Sequence, residues 1–178
     1  MAIKKIVADS TALILLAKCS LLEIVCKLLE VVVPLTVLEE TASEDLSANY
    51  ADAFIIRDLF SRGLFSLASP NPAELQMPFN LHRGEADALM LAKRSPGAVC
   101  ATDDGKAIKA ARFLKIPFII TPEIVVSLYK LEEIPFAKAR QSIEKLGKIG
   151  RYSPEIIAES ILSLTEARNG KAHNNKNT

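Results

Sequence analysis

Tryptophan is absent from the 178-residue chain, and only three cysteines and two histidines are present. Each scarcity excludes something. Without Trp, and with 6% aromatic residues, the sequence advertises no broad stacking platform for nucleic-acid bases. Cys19, Cys26 and Cys100 form no CxxC pair. With only His82 and His173 to join them, the ligands for a zinc site are too few. No disulfide framework is suggested, so a reducing cytoplasm is the simplest setting and the cysteines are expected in the core. Excess charge of either sign is missing too: 22 Lys and Arg against 21 Asp and Glu leave a formal +1. That excludes a broadly basic coat for nucleic acid but leaves local patches open. No apolar run is long enough to span a bilayer. The opening MAIKKIVADSTALILLAK superficially resembles a signal peptide, but Asp9 interrupts it and Lys18 ends it. It reads as the first strand and helix of a folded domain.

What is present is an alternation of short β-like runs with longer helical ones. Ile3–Ala8, Val31–Val33, Leu64–Leu67, Ala98–Thr102 and Pro117–Ile120 read as strands. Helices are expected over Ala12–Lys18, Leu21–Glu30, from Pro34 onward, and over Ala48–Arg62, Gly84–Arg94 and Gly105–Leu114. Three more follow, over Pro122–Leu131, Phe136–Leu146 and Pro154–Arg168. Gly63 is the expected stop of the helix before it, and the three prolines of Ser69–Asn80 mark a loop. This pattern predicts an α/β domain with a mostly parallel sheet and helices on both faces. The organisation expected is a domain over residues 1–132, a helical extension over 133–168 and a disordered polar tail over 169–178.

Carboxylates fall where a parallel sheet binds ligands, at the carboxyl ends of its strands. Asp9 ends the first strand, and Asp103 and Asp104 follow VCAT. Two further acids lie near that rim. Glu40 sits about 9 Å along the helix that begins at Pro34. Glu85 opens EADALMLAK with Ala88, Leu89 and Ala92 on one face, and Asp87 stands in the same relation to Met90 and Leu91. Periodicity does not choose between Glu85 and Asp87. Taken singly, each acid reads equally well as a helix cap or a solvated face. Taken together, carboxylates about 5 Å apart repel by about 3 kcal/mol per pair at an effective dielectric near 20, so a proton or a cation must relieve them. Oxygen ligands without His or Cys favour Mg²⁺ or Mn²⁺, one or two ions, which can activate water at a phosphodiester.

Four segments in order, VADSTALILLAK, PLTVLEE, GEADALMLA and ATDDGKAIKAA, resemble the PIN-domain family of metal-dependent ribonucleases. The resemblance extends to the VapC-type toxins of toxin–antitoxin pairs and to their solitary relatives. It covers most of residues 3–130. It implies a three-layer α/β/α fold and catalytic acids at Asp9, Glu40 rather than Glu39, Glu85 with Asp87 as alternate, and Asp104. The metal would lie among Asp9, Asp104, Glu85 and Asp103, with Ser10 and Thr102 as supporting hydroxyls. The implied partners are RNA, an antitoxin protein and a second copy of the chain, with no membrane. On this reading Arg83, Lys106, Lys109 and Arg112 meet the RNA backbone, with Lys115 continuing the stripe. The C-terminal stretch KIGRYSPEIIAESIL exceeds a minimal toxin-like domain. Two other classes compete. A phosphoacceptor receiver domain would want a carboxylate pair at the first strand and a Lys after FIITPEI, and neither is present. A catalytically silent interaction module would be marked by a missing core acid, and none is missing.

Overall fold

The computed structural model describes residues 3–71 and 80–174, with side chains to Gly170. Two compact units emerge, Met1–Ile120 and Thr121–Thr178.

In the first unit, five strands form one sheet: β1 (Lys5–Ala8), β2 (Glu30–Pro34), β3 (Ser66–Ala68), β4 (Ala98–Ala101) and β5 (Phe118–Ile119). Their spatial order is β3-β2-β1-β4-β5, and every pair is parallel. Apolar, largely β-branched runs such as Val31-Val32-Val33 suit such a sheet, because both of its faces are covered. Among the described residues, seven helices belong to this unit. They are α1 (Ser10–Lys18), α2 (Leu22–Leu28), α3 (Leu35–Ala42), α4 (Glu44–Asn49), α5 (Ala51–Ser61), α6 (Arg83–Arg94) and α7 (Gly105–Phe113).

Strand order assigns the helices to layers. The chain steps one way from β1 to β2 to β3, then crosses back to β4 and β5. Right-handed crossovers therefore put α1 to α5 on one face and α6 and α7 on the other. The second face is a core in which Val7, Val32 and Cys100 from the sheet meet Ala88, Leu89 and Ala92 of α6 and Ala107, Ala110 and Ala111 of α7. Small alanines bring the helices close to the strands, while each fully buried Val or Leu contributes about 1.5–3 kcal/mol. This is the three-layer α/β/α sandwich expected from the sequence, with the sheet wholly parallel.

Element ends shift in instructive ways. Helix α1 starts two residues before the expected Ala12, because the Asp9 side chain caps it. The helix expected over Ala48–Arg62 begins at Ala51 as α5, and Glu44–Asn49 before it form a separate helix that was not expected, α4, parted from α5 at an extended Tyr50 (φ −127°, ψ 128°). There Asn49 donates its side-chain amide to the Asp45 carbonyl at 2.7 Å, competing with helix continuation. Gly63 does follow α5, at φ +70°, a conformation that costs glycine little. The loop read over Ser69–Asn80 lies mostly outside the described residues, at 72–79.

The second unit holds α8 (Thr121–Lys130), α9 (Phe136–Ile149) and α10 (Pro154–Asn174), packed on one another. Buried Ala139, Ile143 and Leu146 recur along α9 at helical spacing. Phe136 meets Tyr129 edge-on at 5.8 Å, and the Arg168 guanidinium sits 4.5 Å from its ring centre. The last helix runs six residues beyond Arg168, and 175–178 lie outside the described residues. Among the described residues no helix is long and apolar enough to cross a membrane.

Candidate active site

The register of β1 and β4 builds the centre of the acidic rim. Val7 pairs with Cys100 and Ala8 with Ala101, so Asp9 and Thr102 leave the sheet side by side. The Asp9 amide then donates to the Ala101 carbonyl at 3.0 Å, prolonging the ladder. Successive chain connections leave these two strands in opposite directions. That is the topological switch point, where open α/β sheets bind ligands.

Asp9 is wholly buried. Its Oδ1 accepts the Ala12 amide at 2.9 Å, capping α1, whereas its Oδ2 is buried without a hydrogen-bond partner among the described residues. Burial is the main reason that its carboxyl is pushed up to about 7 from an ordinary 3.8. The Ala12 amide and the Thr102 hydroxyl favour the charged form, though neither closes a bond on Oδ2, and the Asp103 and Glu85 carboxylates oppose it. Burying half a carboxylate without a partner is costly. It is the kind of vacancy that a cation or a proton fills.

Glu85 stands in the first turn of α6, half-buried, with Oε2 accepting the His82 amide at 3.0 Å. Burial raises its carboxyl above the usual range, and the Asp104 carboxylate adds to the rise, while nearby Lys106 works against it. Asp104 caps α7, its Oδ1 taking the Lys106 amide at 2.7 Å and the Ala107 amide at 3.0 Å. Its own amide donates to the Thr102 hydroxyl at 3.3 Å. Asp9 is thus within electrostatic reach of Asp103 and Glu85, and Glu85 within reach of Asp104.

Glu40 reaches the rim from α3. Ser10 donates its hydroxyl to Glu40 Oε2 at 2.7 Å, tying α3 to the first residue of α1. Glu40 rather than Glu39 makes this contact. Asp87 stands elsewhere: it is 3% exposed, its Oδ2 accepts the Thr36 hydroxyl at 2.7 Å, and its Oδ1 has no partner among the described residues. Glu85 is therefore the α6 acid that couples to Asp9 and Asp104, and Asp87 bonds to the start of α3.

The basic residues separate. Lys106 is near enough to Glu85 to act on its charge. Lys109 lies one turn further along α7. Arg112, in the last turn, is about 9 Å from Lys106 along the helix axis and stacks over Phe118 at 5.5 Å. Arg83 is exposed at the first position of α6. All three cysteines are buried thiols.

Two contributors escaped the sequence reading. One is Gly84: a Cβ there would lie 2.6 Å from Glu40 Oε2 and 3.0 Å from Val37 Cγ2. A side chain at this position would push the Glu40 carboxylate aside and press on Val37. The GE pair before an alanine-rich helix was the available signal. The other is Thr36, which nothing in the sequence links to Asp87.

The donors fit a hard divalent ion in chemistry: carboxylate oxygens, one of them a buried oxygen with no partner, and mutual repulsion that a cation relieves. As the side chains stand, no three acids, histidines or cysteines among the described residues converge closely enough to hold an ion. Asp104 Oδ1 and Glu85 Oε2 are each engaged by backbone amides at a helix start. A shallow cavity of about 340 Å³ lies at the opposite rim, lined by Lys93, Pro96, Gly97, Lys115 and Pro117, and holds none of these acids.

The family model DUF3368, a PIN domain, matches residues 5–167. The chain belongs to the PIN-domain family. No curated protein matches it. PIN domains are generally nucleases and typically use divalent metal ions, which gives the acid rim its chemical context.

Proposed function

We propose that this PIN domain is a metal-dependent endoribonuclease that hydrolyses RNA phosphodiester bonds at the acid rim. The observation that carries the reading is Asp9. It is a fully buried carboxylate at the switch point, with one oxygen unpartnered and with Glu85 and Asp103 raising its energy when charged.

Asp9, Asp104 and Glu85 would hold Mg²⁺ or Mn²⁺, with Asp103 beside them. A bound ion supplies positive charge against the phosphate oxygens and a water acidic enough to attack phosphorus. The chain's own residues do the rest. The Asp9 side chain is fixed by its bond to Ala12, so its free oxygen keeps one direction. Ser10 holds Glu40 in place, leaving the second carboxylate oxygen to take a proton from water or to support a ligand. Lys106, beside Glu85, is positioned to meet a phosphate that approaches the rim.

A catalytically silent module is the second reading. It draws on the engagement of Asp104 Oδ1 and Glu85 Oε2 in helix capping. Incubating total RNA with the purified protein in Mn²⁺, in Mg²⁺ and in chelator, beside Asp9→Asn, separates the two. Metal-dependent cutting that the substitution abolishes is the expected result. Tight Mn²⁺ binding without cleavage of any RNA tested would favour the silent module. Cleavage that survives both chelator and Asp9→Asn would overturn the role given to the acids.

A further inference from the structure

The nuclease reading makes no use of the cavity of about 340 Å³ at the opposite rim of the sheet. Tight turns frame it on two sides. Helix α6 hands over to β4 through Ser95-Pro96-Gly97-Ala98, closed by the Ala98 amide on the Ser95 carbonyl at 3.0 Å, with Gly97 at φ +74°. Proline second and glycine third, at a positive φ, is the pattern of a type II turn. Helix α7 hands over to β5 through Lys115, after which the Ile116 amide returns to the Ala111 carbonyl at 2.9 Å. Lys115 sits at φ +55°, in the left-handed region where helix exits favour glycine. Backbone hydrogen bonds therefore fix these walls before anything enters. The lining divides by chemistry. Ile3, Ala92, Val99 and Ile116 supply apolar surface, whereas Lys93 and Lys115 supply charge. Both lysines are exposed, and neither makes a hydrogen bond or an ion pair among the described residues. Among those residues no carboxylate lines the cavity, and Glu30, at the start of β2, is bonded to Lys5 at 2.8 Å.

We propose that this cavity binds a small phosphate monoester with an apolar body, its phosphate between Lys93 and Lys115 and its body against Ile3, Val99 and Ile116. Charge complementarity selects the head group. A phosphate monoester carries about −1.5 to −2 at pH 7 and answers both ammonium groups, where a carboxylate would answer one. Lysines bind phosphate as point charges, with no need for the planar fork of arginine. The volume lies near the lower end of the range for ligand sites, which suits a small free molecule. Lys115 thereby serves this rim and not the RNA stripe to which its sequence spacing assigned it. The site is separate from the acids and stands whether or not the protein cuts RNA.

Phenyl phosphate is the probe, titrated into the isotope-labelled full chain and followed by the amide resonances. Chelator is present throughout, so that no metal ion draws the phosphate to the acids. The expected result is saturable binding that shifts the amides of Gly97, Val99 and Lys115 and leaves those of Asp9 and Asp104 in place. Inorganic phosphate, benzoate and phenol should each bind about tenfold more weakly, because each lacks the apolar body or negative charge. Replacing both lysines, Lys93→Gln with Lys115→Gly, should weaken binding about tenfold, the worth of two exposed ion pairs. Glycine suits the backbone at position 115, so this variant should melt no lower than the wild type. No saturable binding, shifts centred on Asp9 and Asp104, benzoate bound as tightly as phenyl phosphate, or unchanged affinity in the double variant would each overturn the proposal. A phosphotyrosine peptide bound about tenfold more tightly than phenyl phosphate would make the occupant a protein segment and overturn the small-molecule assignment.

Discussion

Asp9 concentrates the energetics of the site in one side chain. Its carboxyl is buried, half-satisfied and raised to about 7. Between pH 3.8 and about 7 the folded protein keeps a proton there that the unfolded chain has lost. Stability of the metal-free protein therefore falls as pH rises through that window and levels off above it. Thermal unfolding in chelator should show this decline for the wild type, and the difference between wild type and Asp9→Asn should carry it. A difference that does not change between pH 4 and 8 would contradict the burial argument. Gly84 supports a second prediction at this scale. Gly84→Ala favours the helix by up to about 1 kcal/mol yet crowds Glu40 Oε2. Metal-dependent cleavage should drop several-fold while the melting temperature moves little. An equal loss of both would show a folding defect instead. At residue scale strand ends pointed to Asp9 and to the Asp103–Asp104 pair, and the family resemblance chose Asp104 within that pair and Glu40 over Glu39. The sequence left Glu85 and Asp87 open, because both lie on the inward side of one helix. What separates them is a partner across the fold, Asp104 for one and Thr36 for the other, and such partners have no sequence spacing.

Between elements, the Thr36–Asp87 bond joins the first turn of α3 to α6, and so the helix of Glu40 to the helix of Glu85. Removing the hydroxyl leaves Asp87 buried with neither oxygen bonded. Thr36→Val should therefore cost about 1–3 kcal/mol, read from urea unfolding as a lower midpoint at unchanged slope. A midpoint equal to the wild type would mean that the pair adds nothing to the junction. Most helices and strands were readable from periodicity, since apolar stripes of period 3.6 alternate with short apolar runs; α4, which buries none of its residues, was not. Boundaries were less readable. The Asp9 cap extends α1 backward, and the Asn49 side chain bonds back into the last turn of α4, just before α5 begins. Both are side-chain-to-backbone bonds that compete with, or complete, a helix end, and a hydrophobic pattern does not register them.

For the molecule as a whole, the strand order β3-β2-β1-β4-β5 is what unites acids from distant parts of the chain. Alternating strands and helices implied a parallel sheet. Nothing in periodicity says that β4 lies beside β1, and the resemblance of four ordered motifs implied only that their acids share one site. A net charge of +1 also has a consequence at this scale. RNA affinity must come from a few local cations, so its salt dependence should be shallow. Reversing Lys106 and Lys109 together should reduce the slope of log affinity against log salt by about 1.4, the share of two phosphate contacts on a single strand. An unchanged slope would remove both lysines from the interface. The account depends above all on the acid rim being a cation site. Calorimetric titration of the wild type and Asp9→Asn with Mn²⁺ at neutral pH tests this most directly. One or two ions bound by the wild type, and at least tenfold weaker binding by the variant, is the predicted result; equal binding by both, or by neither, would contradict it.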